Sequence, residues 1–131
     1  MVEKQKILFV CIGNACRSPM AEGFARHYGR DLIEAHSAGI YPYGQICEET
    51  IKVMKERRID ITGQRSKGIS EYVLRDFDLI VSMAPLPLMD REGSLSEMYW
   101  DIPDPFRQPL KEFRKVRDEI EKKVKTLLGK G

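Results

Sequence analysis

The segment ILFVCIGNACRSPMAEG, Ile7 to Gly23, constrains this chain more than any other. A short unbroken apolar run, suited to a strand covered on both faces, ends at Cys11. Ser18 as a cap, Pro19 in the first turn and Gly29 as a stop then delimit a helix with Met20, Ala21, Phe24, Ala25 and Tyr28 on its apolar face. The step between strand and helix spans residues 12–17 and carries Gly13, Asn14, Ala15, Cys16 and Arg17. A strand running through so short a loop into a helix is the opening unit of a parallel α/β sheet.

The rest of the chain repeats that alternation. LIEAHS reads as a second strand closed by Gly39, and residues 46–58 as a helix burying Cys47, Ile51 and Met54. FDLIVSM reads as a third buried strand, preceded by a short helical piece near SEYVLRD, and EMYWDI as a fourth. The last helix, 110–128, carries Leu110, Phe113, Val116, Ile120, Val124 and Leu127 along one stripe. With 131 residues and no repeat or linker, the expectation is a single domain over residues 1–131, a doubly wound four-stranded parallel sheet flanked by helices. In such sheets ligands bind beyond the carboxyl ends of the strands, where the Cys11 loop lies.

Composition narrows the function. The net charge is +2, with basic residues spread among nearly as many carboxylates, which argues against a nucleic-acid partner. MVEKQK is polar and the first apolar run is too short to span a bilayer, so no membrane association is expected and the setting reads as cytoplasmic. Three cysteines cannot all pair internally, which turns attention to thiol chemistry.

The opening loop supplies that chemistry. Backbone N–H groups from Ile12 to Ser18, gathered at a helix N-terminus, make a concavity suited to a tetrahedral oxyanion. Gly13 permits a tight turn, and Asn14 tolerates a left-handed backbone. Arg17 brings a planar guanidinium able to hold two oxygens of a phosphate. The same positive field favours Cys11 as a thiolate, and Ser18 is placed to donate a hydrogen bond to its sulfur. With three cysteines and eleven arginines, a bare Cys-x5-Arg arises by chance in roughly one such chain in four, so the strand before it and the helix after it carry the weight. Nucleophilic attack by Cys11 on phosphorus or a similar centre is the reaction implied. A leaving alkoxide needs a proton, and DIPDPF offers Asp104 beyond the fourth strand, on the same sheet edge, between stiffening prolines. From the residues alone, a turn-initiating Asp104 is an equal alternative.

VCIGNACRSPMAEG is similar to the signature of the low-molecular-weight protein tyrosine phosphatases, which share their fold with a class of arsenate reductases. HSAG, DFDLIVSM and DIPDPF before a long helix follow in that family's order, so the resemblance spans nearly the whole chain. It implies a phosphotyrosine phosphatase I-like fold and a cysteinyl-phosphate intermediate, with no cofactor and no metal. Carried across by position, Cys11 matches the nucleophile, Arg17 the phosphate-binding arginine and Asp104 the general acid. Asn14 and Ser18 match loop-shaping and thiolate-stabilising residues, and Ser37 matches a serine that supports the asparagine. Cys16 matches a second loop cysteine able to form a reversible disulfide with the nucleophile.

Substrate selectivity is where the chain departs from that pattern. Ala15 replaces the isoleucine of tyrosine-specific members and the threonine of an arginine-phosphate-specific branch, widening the pocket floor. Ala84-Pro85 follows the third strand where the family often has aspartate, removing a polar contact. Phe106 supplies an aromatic wall where tyrosine or tryptophan is common, and Tyr41 and Tyr43 are candidates for the wall opposite. The expected substrates are a phosphorylated protein or small aryl phosphate, with phosphate, arsenate and vanadate as oxyanion ligands. Arsenate reduction at Cys11 is the rival. Thioredoxin-coupled reductases of this fold carry a cysteine pair after the third strand, whereas SMAPLPLMDREGS has none, leaving Cys16 or an external thiol. Cys47 reads as a core residue, His27 and His36 as packing or surface groups, and Arg65 and Lys67 as solvated surface.

Overall fold

Side chains of the first strand alternate between two cores. The computed structural model describes residues 4–85 and 96–129. Strand β1 (Gln5–Cys11) sends Ile7, Phe9 and Cys11 into a large core and Leu8 and Val10 into a smaller one behind the sheet. It is followed by α1 (Arg17–Tyr28), β2 (Ile33–Gly39), α2 (Glu48–Lys55), β3 (Leu79–Ser82), β4 (Ser96–Tyr99) and α3 (Leu110–Leu127). All strand pairs are parallel, in the order β2-β1-β3-β4. The expected four-stranded parallel sheet flanked by helices is therefore the architecture.

The three α-helices touch one another and pack Phe24, Met54 and Phe113 into the core on the sheet face that holds Phe9. The other face is closed differently. The helical piece expected near residues 70–76 forms two 3-10 turns, Ile69–Glu71 and Leu74–Asp76, and Phe77, with Tyr72 and Leu74, packs on Leu8, Val10 and Ile80. Each large apolar side chain fully removed from water contributes about 1.5–3 kcal/mol.

Several boundaries move for physical reasons. α2 has eight residues rather than thirteen, too few to stand alone, since isolated helices shorter than about 12–15 residues are marginal. Burial of Val53 and Met54 and a cross-link from Glu56 to Arg114 and Arg117 of α3 hold it. These two guanidinium groups, Arg114 foremost, hold the Glu56 carboxyl down at about 2. Strand β4 stops at Tyr99 because the chain then turns to bury Trp100 against Phe9, with ring centroids 5.8 Å apart.

The strand order places a switch point at the end of β1. Its β2 neighbour follows through α1 on one side, and β3 lies on the other, so the chain after Cys11 emerges where the two crossovers diverge. Gly39, opposite Cys11 in the register, lets the loop settle there. A Cβ on Gly39 would stand 2.8 Å from the Asn14 nitrogen, the Gly13 carbonyl carbon and the Ile12 oxygen, all backbone atoms. Gly39→Ala should therefore cost about 1–3 kcal/mol of stability by overpacking, read as a lower urea midpoint at unchanged m-value. An unchanged midpoint would show that the loop has slack which this packing denies.

Candidate active site

The loop is held by its carbonyl groups. The carbonyls of Cys11, Ile12, Gly13 and Ala15 accept hydrogen bonds from the N–H groups of Ile40, Tyr41, Tyr43 and Cys47, at 3.2, 2.9, 2.9 and 3.1 Å. With the carbonyls tied outward to residues 40–47, the N–H groups of Gly13, Asn14, Ala15 and Cys16 meet no backbone acceptor among the described residues. The left-handed turn falls at Asn14, with φ of 49°, not at Gly13. Helix α1 begins one residue before the expected cap: Cys16 is its N-cap residue, and Ser18 lies inside the first turn. The Ser18 side chain is thereby released from capping and turns to the thiol.

A directed chain of hydrogen bonds runs from that thiol into the protein. The Asn14 amide donates to the Ser18 hydroxyl at 2.8 Å and to the Ser37 hydroxyl at 3.0 Å, while its Oδ1 accepts from the Lys67 backbone N–H at 2.9 Å. Ser18 Oγ accepts from Asn14 and lies 2.9 Å from Cys11 Sγ, so with Cys11 as the thiolate, which has no proton to give, the Ser18 proton points at the sulfur. The Ser18 backbone N–H also reaches that sulfur, at 3.5 Å. At the other end Ser37 donates to the buried carboxylate of Glu22, which pairs with Arg26 at 2.6 Å and lies 3.8 Å from Lys67. Every donor in the chain is thus oriented, and two of them end on Cys11. Lys67 is not the solvated residue expected: its side chain is mostly covered, and burial pushes its ammonium group down from the usual lysine range. Arg65, by contrast, is an exposed partner of Glu71.

Arg17 is buried, and Nη1 donates to the carbonyls of Met83 and Ile102, at 2.8 and 2.9 Å, just beyond β3 and β4. Its Nη2 lies 3.6 Å from Asp104 Oδ2, and its Nε finds no acceptor among the described residues. A buried guanidinium with an unmatched donor is an anion site in waiting, because leaving that donor dry costs about 1–3 kcal/mol. Asp104 accepts from the Phe106 N–H at 3.1 Å through Oδ1.

A cavity of about 170 Å³ is lined by Cys11, Ile12, Gly13, Ala15, Cys16, Tyr41, Tyr43, Asp104 and Phe106; Arg17 is not in the lining and meets it through Asp104. The residues named from the sequence are thus brought together, with Asn14, Ser18 and Ser37 beneath the loop. Tyr43 meets Phe106 edge to face at 5.0 Å, and Tyr41 is largely exposed at the rim. A larger cleft lined by Arg26, Arg30 and Arg58 shares none of these residues. His27 meets Tyr28 edge to face, and His36 packs on Tyr72 and Phe77, both apart from the cavity. Most of the segment 82–94, which holds no cysteine, lies outside the described residues, as does the start of MVEKQK.

Cys47 corrects the sequence reading. It is the N-cap residue of α2 rather than a helical core position, only partly buried, and its sulfur lies 3.5 Å from that of Cys16. The hydrogen bond between them, in which Cys16 is the donor, together with burial, pushes the Cys16 thiol up, and the same bond pulls Cys47 down. Residues 31 apart in sequence carry no local signal of such a contact.

Comparison with known proteins agrees with this geometry. The family model for low molecular weight phosphotyrosine protein phosphatase matches residues 6–130. An arsenate reductase of Bacillus cereus (strain 03BB102) is 37% identical over 128 residues, 95% of each chain. A solved arsenate reductase in the phosphate binding state superposes with a TM-score of 0.89 at 34% identity, covering 96% of this chain and 98% of its own. Vibrio vulnificus Wzb in complex with benzylphosphonate superposes with a TM-score of 0.85 at 26% identity, covering 98% of this chain and all of its own. Among the described residues no helix is long and apolar enough to cross a membrane.

Proposed function

Because this chain belongs to the low molecular weight phosphotyrosine protein phosphatase family, we propose that it uses the family's thiol loop to reduce arsenate. The observation that carries this reading is a cluster of further thiols at the loop: Cys16 lines the same space as Cys11, and its sulfur lies 3.5 Å from that of Cys47. A phosphatase needs one thiol and a water; a reductase needs a further thiol to accept the oxidation. The similarity to the Bacillus cereus arsenate reductase supports the same choice.

In this mechanism arsenate occupies the loop, with Arg17 Nε and the loop N–H groups as donors. The Cys11 thiolate attacks arsenic, and hydroxide leaves as water on receiving a proton from Asp104. Cys16 gives its proton to the Asp104 carboxylate, emptied in the first step and lining the same cavity, and attacks Cys11 Sγ. The S–S bond forms, the S–As bond breaks, and its electron pair stays on arsenic, which departs as arsenite. Two thiols have lost two electrons and arsenic has gained them. An external thiol reductant restores the enzyme. Three thiols kept reduced between turnovers suit a reducing compartment such as the cytoplasm.

A second reading, aryl phosphate hydrolysis through a cysteinyl-phosphate, is favoured by the Tyr43–Phe106 wall beside Asp104. The decisive experiment supplies arsenate with dithiothreitol and, separately, phenyl phosphate, and measures arsenite and phosphate. Arsenite formation dominating supports the reductase; phosphate release without arsenite replaces it by the phosphatase. For any aryl ester turnover, Asp104→Asn should slow phenyl phosphate by about 10²-fold but p-nitrophenyl phosphate far less. The nitrophenolate leaves without a proton, and equal losses would show that Asp104 acts other than as an acid.

A further inference from the structure

We propose that Cys16 and Cys47 form the dithiol through which this enzyme discharges its oxidation: the disulfide created at Cys11 is passed to a Cys16–Cys47 bond, and an external dithiol reduces it there. The inference rests on the arsenate-reducing reading above. It begins from the three cysteines, the whole thiol complement of the chain. Cys11 and Cys16 border the cavity; Cys47 is not part of its lining, and its sulfur lies 3.5 Å from that of Cys16. A disulfide sulfur separation is about 2.05 Å, so closing this pair asks the two sulfurs to approach from the 3.5 Å at which they already meet.

The surroundings favour this direction of transfer. The Cys47 segment is pinned to the thiol loop by its own backbone N–H, which donates to the Ala15 carbonyl at 3.1 Å. Its side chain makes no capping bond, so the sulfur is not committed to α2. Cys16 donates the hydrogen bond that joins the pair, and that bond pulls the Cys47 thiol down from its usual range, which favours Cys47 as the attacking sulfur. On the other side, Cys11 is a good leaving group because the Ser18 hydroxyl and N–H both reach its sulfur. Cys47 is also the more exposed of the pair, and therefore the one a reductant outside the cavity meets first.

The balance is complete. After arsenite leaves, the Cys47 thiolate attacks Cys16 Sγ; the Cys16–Cys47 bond forms, the Cys11–Cys16 bond breaks, and Cys11 departs as a thiolate with no net change in oxidation. A dithiol then attacks Cys47 Sγ, releases Cys16, and closes to its own disulfide in a second exchange. Summed over a cycle, arsenate and two thiols give arsenite, water and one disulfide. Cys11 is back in its anionic form while the oxidation waits outside the cavity, so a new oxyanion can bind before the reductant arrives.

The test treats the reduced full-length chain with a stoichiometric amount of arsenate and no reductant, measures arsenite, alkylates free thiols and maps disulfide peptides by mass spectrometry. The native chain should yield arsenite together with the Cys16–Cys47 peptide and a free Cys11. Cys47→Ser should accumulate Cys11–Cys16 instead, and its dithiothreitol-driven turnover should fall by about tenfold or more, since the reductant must then enter the cavity. Native chain that forms arsenite but holds its disulfide as Cys11–Cys16 would overturn this inference and leave the reductase reading intact. Native chain that forms no arsenite would overturn both. The native peptide map needs no variant to fold, so the answer does not depend on the serine substitution.

Discussion

Cys11→Ser is expected to abolish arsenite formation, by roughly 10⁴-fold or more in kcat, while leaving oxyanion binding in place. The thiol is the group that two oriented donors serve, the hydroxyl and the N–H of Ser18. A serine alkoxide is a far stronger base than a thiolate and is not populated by two hydrogen bonds, so the attacking species disappears. The electron transfer disappears with it, because an alcohol cannot enter a disulfide. Arg17 and the loop N–H groups are untouched, so phosphate titrated calorimetrically into the variant should bind within a few-fold of native affinity. Residual arsenite production near the native rate would move the nucleophile to Cys16 or Cys47 and undo the proposed sequence of steps. Loss of binding together with activity would show that the sulfur shapes the loop, and not only reacts in it.

Arg17→Lys should have the second largest effect, about 10³-fold in kcat/KM, because several functions rest on one planar group. The guanidinium donates to the carbonyls of Met83 and Ile102 through Nη1, faces Asp104 through Nη2, and keeps Nε without a protein partner. A lysine ammonium is a point donor with three protons. If it satisfies the two carbonyls it stops short of the anion, and if it reaches the anion it strands the carbonyls. The variant should therefore lose stability as well, by about 1–3 kcal/mol, through a buried carbonyl left without its donor. Paired kinetic and urea measurements separate these effects. A large kinetic loss with an unchanged midpoint would mean that neighbouring groups re-satisfy the carbonyls. Native-like kinetics would remove Arg17 from oxyanion recognition.

The parts of the site that were legible in the sequence are local. An apolar run ending in Cys11, a loop with Asn14, and a helix opening at Ser18-Pro19 are contiguous, so strand period, turn preference and helix onset together place the thiol beside the helix N-terminus. Asn14 does take the left-handed backbone expected of it, and Asp104 does come to the same sheet edge as Cys11. The local signals err where neighbours in space compete with them. Ser18 has the chemistry of a helix cap, but Asn14 and Cys11 claim its hydroxyl, and the helix starts at Arg17 instead. Lys67 has the chemistry of a surface residue, but its backbone anchors Asn14 and its side chain is drawn toward Glu22. Cys47 has the spacing of a core helix position, but the shortened α2 turns it into a boundary residue facing Cys16.

The sequence by itself determined that this chain would place a cysteine, an oxyanion-binding loop and an arginine at the end of a buried parallel strand, because those features lie within a single strand–loop–helix unit. Tertiary structure alone decided which further groups that unit would meet. The absence of a Cβ at Gly39 allows the loop to pack on β2, the carbonyls beyond β3 and β4 fix the guanidinium, and the tie from Cys47 to Ala15 brings a third sulfur to the second. No periodicity along the chain encodes such contacts. They depend on how segments pack against one another, and that packing places the third thiol beside Cys16.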